Sequence, residues 1–224
     1  MIPIAVFSSG RGSNFEAIYS AIKKKELNAE IVAVVCDRKD APVLKIAAEL
    51  GLKTFLIPFP SPTPESGSLG MPLEIRRRQH EEAVLKALCQ LQLQPRFLVM
   101  AGYRRILTSH LIESFRCERG YSRIVNVHPS LLPAFPGINA YSQAYFYGVQ
   151  MTGATVHLVE VEVDSGPICA QRAFSIADCR SEQEVEERGL QIEHLLFPET
   201  LKWVLAEEFK VESRLGGRIC VRKD

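Results

Sequence analysis

Asn126 and His128 stand two residues apart where the apolar run Ser122-Arg123-Ile124-Val125 gives out, and Pro129 follows them. The run reads as the end of a buried strand, and side chains two apart on a strand share a face. Pro129 has no N–H to donate and biases the residue before it to an extended shape, so the ladder stops there. An amide and an imidazole are thereby held side by side at a strand's carboxyl end, the edge where open α/β sheets bind ligands. Taken alone, the pair is equally readable as a buried His and Asn that satisfy loop backbone.

Two other places carry chemistry. Ser9-Gly10-Arg11-Gly12-Ser13-Asn14 lies between a strand and a helix pattern. Its glycines let backbone N–H groups turn toward a ligand, and a helix N-terminus adds positive potential suited to a phosphate. The loop lacks the third glycine of a dinucleotide fingerprint, whose place Phe15 takes, and no Walker lysine follows. A plain glycine turn with Ser or Asn as N-cap is the alternative. The third place is Asp164 in Val163-Asp164-Ser165-Gly166, a turn in which Asp is also common for structural reasons. An amide donor, a titratable imidazole and a carboxylate able to orient it suit a reaction that passes through an oxyanion.

The elements that must hold these residues alternate. Short β-rich runs at 3–8, 30–36, 53–58 and 96–101 are separated by helix patterns after residue 14, at 41–50 and at 74–91. Such alternation predicts a mainly parallel sheet with right-handed crossovers. Runs at 154–160 and 168–173 flank Asp164-Ser165-Gly166-Pro167 and read as two strands joined through a tight connection, which makes the sheet mixed. Ser181-x-x-Glu184 is a capping box that opens a helix reaching about residue 207, and weak strand signals follow at 209–211 and 218–221. Residues 59–73 form a Pro/Ser/Gly-rich irregular loop.

With 46% hydrophobic and 24% charged residues the 224-residue chain can bury a sizeable core, and it shows no linker or repeat that would divide it. A formal charge of +1 gives no overall attraction to nucleic acid or anionic membrane. The run Arg76-Arg77-Arg78 reads first as a solvated helix face, with one member free to meet a small anion. The six cysteines are scattered, with no zinc spacing. Free thiols, no signal peptide and no apolar stretch of roughly 20 residues point to a cytoplasmic protein. His80, His110, His157 and His194 read as structural or surface residues, as lone histidines commonly are.

Taken in order, Ser9-Gly10-x-Gly12-Ser13-Asn14, Ala101-Gly102-Tyr103-x-Arg105-Ile106-Leu107, Asn126-x-His128-Pro129-Ser130-Leu131-Leu132-Pro133 and Gly153-x-Thr155-Val156-His157 through Asp164-x-Gly166 resemble the phosphoribosylglycinamide formyltransferase family. The likeness extends to about Pro198. It implies a single formyltransferase domain over 1–224 of α/β class, with a Rossmann-like, mostly parallel mixed sheet flanked by helices on both faces. Residues 1–100 would form the ribonucleotide phosphate side and 101–224 the catalytic and folate side. The resemblance implies that Gly12, Ser13 and Asn14 bind the ribosyl phosphate of glycinamide ribonucleotide, with Glu193 on the same substrate. Arg105, Ile106 and Leu107 would line the folate pocket, and Asn126 would bind the formyl oxygen. His128 would donate the proton and Asp164 would raise its pKa. Arg77 is the match for an Arg that touches the folate, with Arg76 and Arg78 close behind.

The implied reaction carries the formyl group of 10-formyltetrahydrofolate, a co-substrate, to the ribonucleotide amine in purine synthesis. It needs small-molecule partners, no metal, no nucleic acid and no membrane, in a monomer or weak homodimer. Each oxyanion donor would contribute on the order of 3 kcal/mol to the barrier.

Some residues depart from the family pattern. Arg104 stands where a Met is usual, adding a charge beside the folate pocket, and Tyr141 replaces a commonly seen His, while Asn139 occurs in some members. The 59–73 loop is longer than usual. A sugar-nucleotide formyltransferase shares the same three residues. A deformylase would carry a regulatory domain ahead of the first strand, and a methionyl-tRNA formyltransferase a nucleic-acid-binding domain after the last helix. A non-catalytic nucleotide- or folate-binding module would not require the intact trio.

Overall fold

A computed structural model describes residues 1–61, 70–213 and 219–223. Strands β1 (Ile2–Phe7), β2 (Ala29–Cys36), β3 (Thr54–Leu56), β4 (Phe97–Met100) and β5 (Ile124–His128) are parallel, β6 (Met151–Leu158) pairs antiparallel with β5, and β7 (Ile168–Ser175) pairs antiparallel with β6. They form one seven-stranded sheet in the order β3-β2-β1-β4-β5-β6-β7. Because β1 lies between β2 and β4, the strand order reverses there. The crevice beyond the carboxyl ends of β1 and β4 is the switch point where such sheets take ligands.

Both faces of the sheet are covered, which is why its strands read as continuous apolar runs. Ile4, Val6, Phe97, Val99 and Val125 pack on one side with helices α1 (Ser13–Lys23), α2 (Pro42–Glu49) and α6 (Glu182–Leu205). Ala5, Phe7, Leu98, Met100 and Ile124 pack on the other with α3 (Leu73–Leu88) and α4 (Ser109–Ser114). Asn126 and His128 have the parity of Ile124, so they continue the α3/α4 face past the point where the core ends. Helix α5 (Ala140–Tyr147) follows β5, and β8 (Phe209–Ser213) pairs with β9 (Ile219–Lys223) as a separate two-stranded sheet.

Several expectations shift. Helices α4 and α5 were not anticipated; at six and eight residues they are too short for a periodic signal. The connection between β6 and β7 is not tight but covers residues 159–167. It is long enough to carry Asp164 back over the end of β5. Ser181 caps α6 through its hydroxyl, which accepts from Glu184 N at 3.2 Å, but the Glu184 carboxylate closes on Arg180 N at 2.8 Å rather than on Ser181. Within the 59–73 loop, residues 62–69 lie outside the described residues. The end of α6 is tied to the sheet by Glu207, which accepts from Arg123 Nε and Tyr121 OH, each at 2.8 Å, and pairs with Arg96. Among the described residues no helix is long and apolar enough to cross a membrane.

Candidate active site

One cleft of about 1110 Å³ opens at the switch point. Gly12, Ser13, Asn14, Glu193, Asn126, His128, Asp164, Arg104, Arg105, Ile106 and Leu107 all line it. Arg77 does not; it lines a small neighbouring cavity with Phe59 and His80, to which Arg105, Ile106 and Leu107 also contribute. The volume exceeds the few hundred Å³ that one small ligand needs, so two substrates can share it.

At the end expected to take the ribonucleotide, Gly12 is the residue that caps α1. Its φ of 88° is left-handed, and neither Ser nor Asn supplies a side-chain cap, which removes the plain N-cap reading of this loop. A Cβ at Gly12 would stand 2.9 Å from Val43 Cβ and Cγ2. Close approach and backbone sign both demand glycine. The first-turn N–H groups of α1 have no partner within the helix and face the cleft with the positive end of the helix dipole.

Asn14 is buried, donates through Nδ2 to Glu193 Oε2 at 2.6 Å, and leaves its Oδ1 buried without a partner among the described residues. The Tyr141 hydroxyl donates to the other Glu193 oxygen. Gly189 makes room for that ring, since a Cβ there would fall 2.3 Å from its edge. Burial raises the Glu193 pKa above the usual carboxylate range, against the pull of the Tyr141 and Asn14 bonds. Tyr141, the substitution noted in the sequence, is therefore the residue that fixes this carboxylate.

Where the reaction is expected, β5, β6 and the connection after β6 bring Asn126, His128, Asp164 and His157 together. His128 is buried, with Nε2 2.8 Å from Phe135 O and Nδ1 3.3 Å from Asp164 Oδ2. Nε2 bonds the Phe135 carbonyl, while the Asp164 carboxylate stands beside Nδ1. Asp164 has a left-handed φ of 53° and also accepts from Gly137 N at 2.7 Å. Thr155 braces the turn after His128, donating to Ser130 O at 2.6 Å and accepting from Leu132 N at 3.0 Å.

The fourth side chain is His157, which sequence reasoning set aside as structural or surface. It is directly opposite Asn126 in the β5–β6 register, and its Nε2 lies 3.1 Å from Asn126 Nδ2. Its Nδ1 is 2.9 Å from Leu158 O, an acceptor only, so that nitrogen carries the proton. Burial holds the imidazole below the ordinary histidine range, more strongly than the Leu158 carbonyl and Asp164 push it up. A neutral ring protonated at Nδ1 leaves Nε2 as an acceptor, so Asn126 must present its NH2 side to it. The 3.7 Å approach of Asp164 Oδ1 to His157 is then not an ion pair.

At the end expected to take the folate, Ser9 N donates to Gly102 O at 3.1 Å and Arg104 N donates to Ser9 Oγ at 3.0 Å, stitching the loops after β1 and β4 together. Arg105 turns inward: Nε donates at 2.5 Å to Asp37 Oδ2, whose side chain is wholly buried, while the guanidinium lies 4.4 Å from the Phe59 ring centre. Arg77 bonds Glu74 at 2.8 Å within its own helix. Arg104 is exposed on the cleft wall. Of the three arginines expected near folate, one is committed to the core, one is set behind the main cleft, and the unusual one is presented to it.

A family model described as formyl transferase matches residues 2–201. A phosphoribosylglycinamide formyltransferase of Bacillus subtilis (strain 168) is 36% identical over 92% of this chain and 95% of its own. The trifunctional purine biosynthetic protein adenosine-3 of Gallus gallus is 32% identical over 98% of this chain, which spans only 20% of that protein. The crystal structure of glycinamide ribonucleotide transformylase 1 from Symbiobacterium toebii is similar with a TM-score of 0.83 at 30% identity, covering 100% of this chain and 94% of that one.

Proposed function

The chain belongs to the formyl transferase family, and from that premise we propose the roles its cleft residues play. The enzyme transfers the formyl group of 10-formyltetrahydrofolate to the amine of 5'-phosphoribosylglycinamide, giving the N-formyl product and tetrahydrofolate. The observation that carries this reading is the convergence of Asn126, His128 and Asp164 on the same cleft as the α1 N-terminus. One end of that cleft suits a phosphate and the other an oxyanion.

The ribosyl phosphate sits on the backbone of Gly12, Ser13 and Asn14, and the Glu193 carboxylate, held by Asn14 and Tyr141, faces the sugar. The folate lies along residues 104–107, with Arg77 reachable only past the wall they form. The substrate amine attacks the formyl carbon, and the tetrahedral oxyanion is met by Asn126 Nδ2–H and a His128 N–H. Nε2–H of His128 points at the Phe135 carbonyl, so delivering it to the substrate oxygen exchanges one acceptor for another. Asp164 stays on Nδ1 and fixes the ring while the amine's proton leaves through water. As the C–N bond to folate N10 breaks, N10 takes a proton. Holding both substrates in one cleft supplies the proximity contribution. The protein acts in the cytoplasm on small molecules.

The test is formyl transfer from 10-formyltetrahydrofolate to glycinamide ribonucleotide, with an amino-sugar nucleotide as the competing acceptor. Transfer to the ribonucleotide is expected, and it should be lost in His128→Ala and in Asp164→Asn while both keep the wild-type circular dichroism. Near-wild-type turnover in either variant removes the mechanism, and preference for the sugar nucleotide removes the substrate.

A further inference from the structure

The charged side chains of the cleft that must take a phosphorylated acceptor include more acids than arginines. Glu182, Glu186 and Glu193 on α6 face it, as do Glu160 and Asp164. Its basic residues are Arg11, Arg104 and Arg105, and Arg105 is committed to Asp37. A phosphate dianion on the amides of Gly12, Ser13 and Asn14 therefore needs a counter-charge that the backbone alone does not provide.

Arg11 is the residue placed to give it. It lies in the phosphate-type loop itself, immediately before Gly12, and its side chain is 70% exposed. One terminal nitrogen, Nη2, is bonded to Glu186 Oε1 across the cleft. A guanidinium has five N–H donors in a planar fork, so this bond leaves donors free for phosphate oxygens. The buried, unpartnered Oδ1 of Asn14 three residues on marks the same spot as built for a ligand rather than closed upon itself.

We infer that Arg11 is the residue that selects the phosphorylated acceptor, with Glu186 as the residue that positions it. Glu186 holds the fork over the loop, and the arriving phosphate takes the remaining donors, so Arg11 lies between two anions that would otherwise repel each other. The inference rests on the reading of this cleft as the ribonucleotide site, and it assigns phosphate recognition to a side chain as well as to the loop backbone.

The experiment measures KM for glycinamide ribonucleotide and for its 5'-dephosphorylated form in wild type, Arg11→Ala, Arg11→Lys and the double variant Arg11→Ala/Glu186→Gln. Loss of a charge-assisted contact should raise KM for the phosphorylated acceptor by about tenfold in Arg11→Ala, with no rise for the dephosphorylated one. Lysine, a point charge without the fork, should recover part of this. In the double variant KM should fall back toward wild type, because the carboxylate left facing the phosphate is gone. Inorganic phosphate, titrated by calorimetry, should bind Arg11→Ala correspondingly more weakly.

Arg11→Ala that keeps its preference for the phosphorylated acceptor within twofold overturns the inference. So does a loss equal for both acceptors. If wild type formylates neither acceptor, the activity reading fails instead, and the phosphate titration still decides the role of Arg11.

Discussion

Gly12→Ala tests the geometry of the loop proposed to hold the phosphate. Two separate costs follow from the structure. The first is backbone: an L side chain at φ 88° pays about 1–2 kcal/mol for the left-handed region. The second is space: the new Cβ lands 2.9 Å from Val43 Cβ and Cγ2 and 3.3 Å from Val43 Cα. Val43 is wholly buried in α2, and its N–H donates to Gly10 O at 3.3 Å, so it cannot recede without moving the loop with it. Overpacking of this kind costs about 1–3 kcal/mol. The variant should therefore lose about 2–5 kcal/mol in urea unfolding.

Val43→Ala alone should lose about 2 kcal/mol by removing buried methyl groups. In the double variant only the Cγ2 contact is relieved, since Ala at 43 keeps the Cβ that stands 2.9 Å from the new one, so the losses should sum to about 1 kcal/mol more than is measured. KM for the ribonucleotide should rise in Gly12→Ala and recover only in part in the double variant, with KM for the formyl donor unmoved in both. A Gly12→Ala protein within 1 kcal/mol of wild type, or strictly additive losses, would refute the reasoning.

Three other outcomes are expected. His157→Phe removes the acceptor that orients Asn126, so kcat should fall by roughly 10–100-fold, short of the roughly 10²–10³ expected for losing the Asn126 donor outright. Adding it to Asn126→Ala should cost nothing further, and an additive double variant would show that His157 acts elsewhere. Glu193 has its pKa raised by burial, so its contribution to stability is full below the unfolded value near 4.5 and is lost as pH rises through the folded value. Urea midpoints of Glu193→Gln should therefore gain on wild type as pH increases through that window, and parallel profiles would contradict the assignment. Burial pushes Glu207 up, but the bonds from Arg123 and Tyr121 and the charges of Arg123 and Arg96 outweigh it and hold it below the usual value. Its stabilisation is thus present above the unfolded pKa and lost as pH falls through the folded one. Glu207→Gln should cost about 2–4 kcal/mol at pH 7, less in acid, measured by chemical unfolding across pH.

The parts of the site that rest on local chemistry were legible in the chain. Asn126 and His128 share a face because strand side chains alternate, and Pro129 ends the strand where the ligand edge begins. Gly12 sits at a strand-to-helix turn, and its need for a positive φ is written in its lack of a side chain. The family pattern then attached Asp164 and Glu193 to these residues, and the structure brings all of them to one cleft. Length-dependent features were less legible. The eight-residue α5 has too few turns for a periodic pattern, and the 159–167 connection looked like a tight turn because its Asp-Ser-Gly-Pro resembles one.

What stayed hidden depends on pairings between distant segments. His157 falls in an apolar strand pattern, where a single histidine carries no signal of its own. It acquires a role only because the sheet turns antiparallel after β5, and because the register sets residue 157 opposite residue 126. A slip of one residue would send its ring to the α1/α6 face with Val156 and leave Asn126 without an acceptor. The same holds on the ribonucleotide side, where Gly189 on α6 admits the Tyr141 ring from α5, which fixes Glu193, which in turn holds Asn14 on α1. No stretch of sequence contains that chain of contacts. Each member was visible as a residue type, but its function is a property of the helix and strand packing, so a substitution at the silent Gly189 should reach the substrate as surely as one at Glu193.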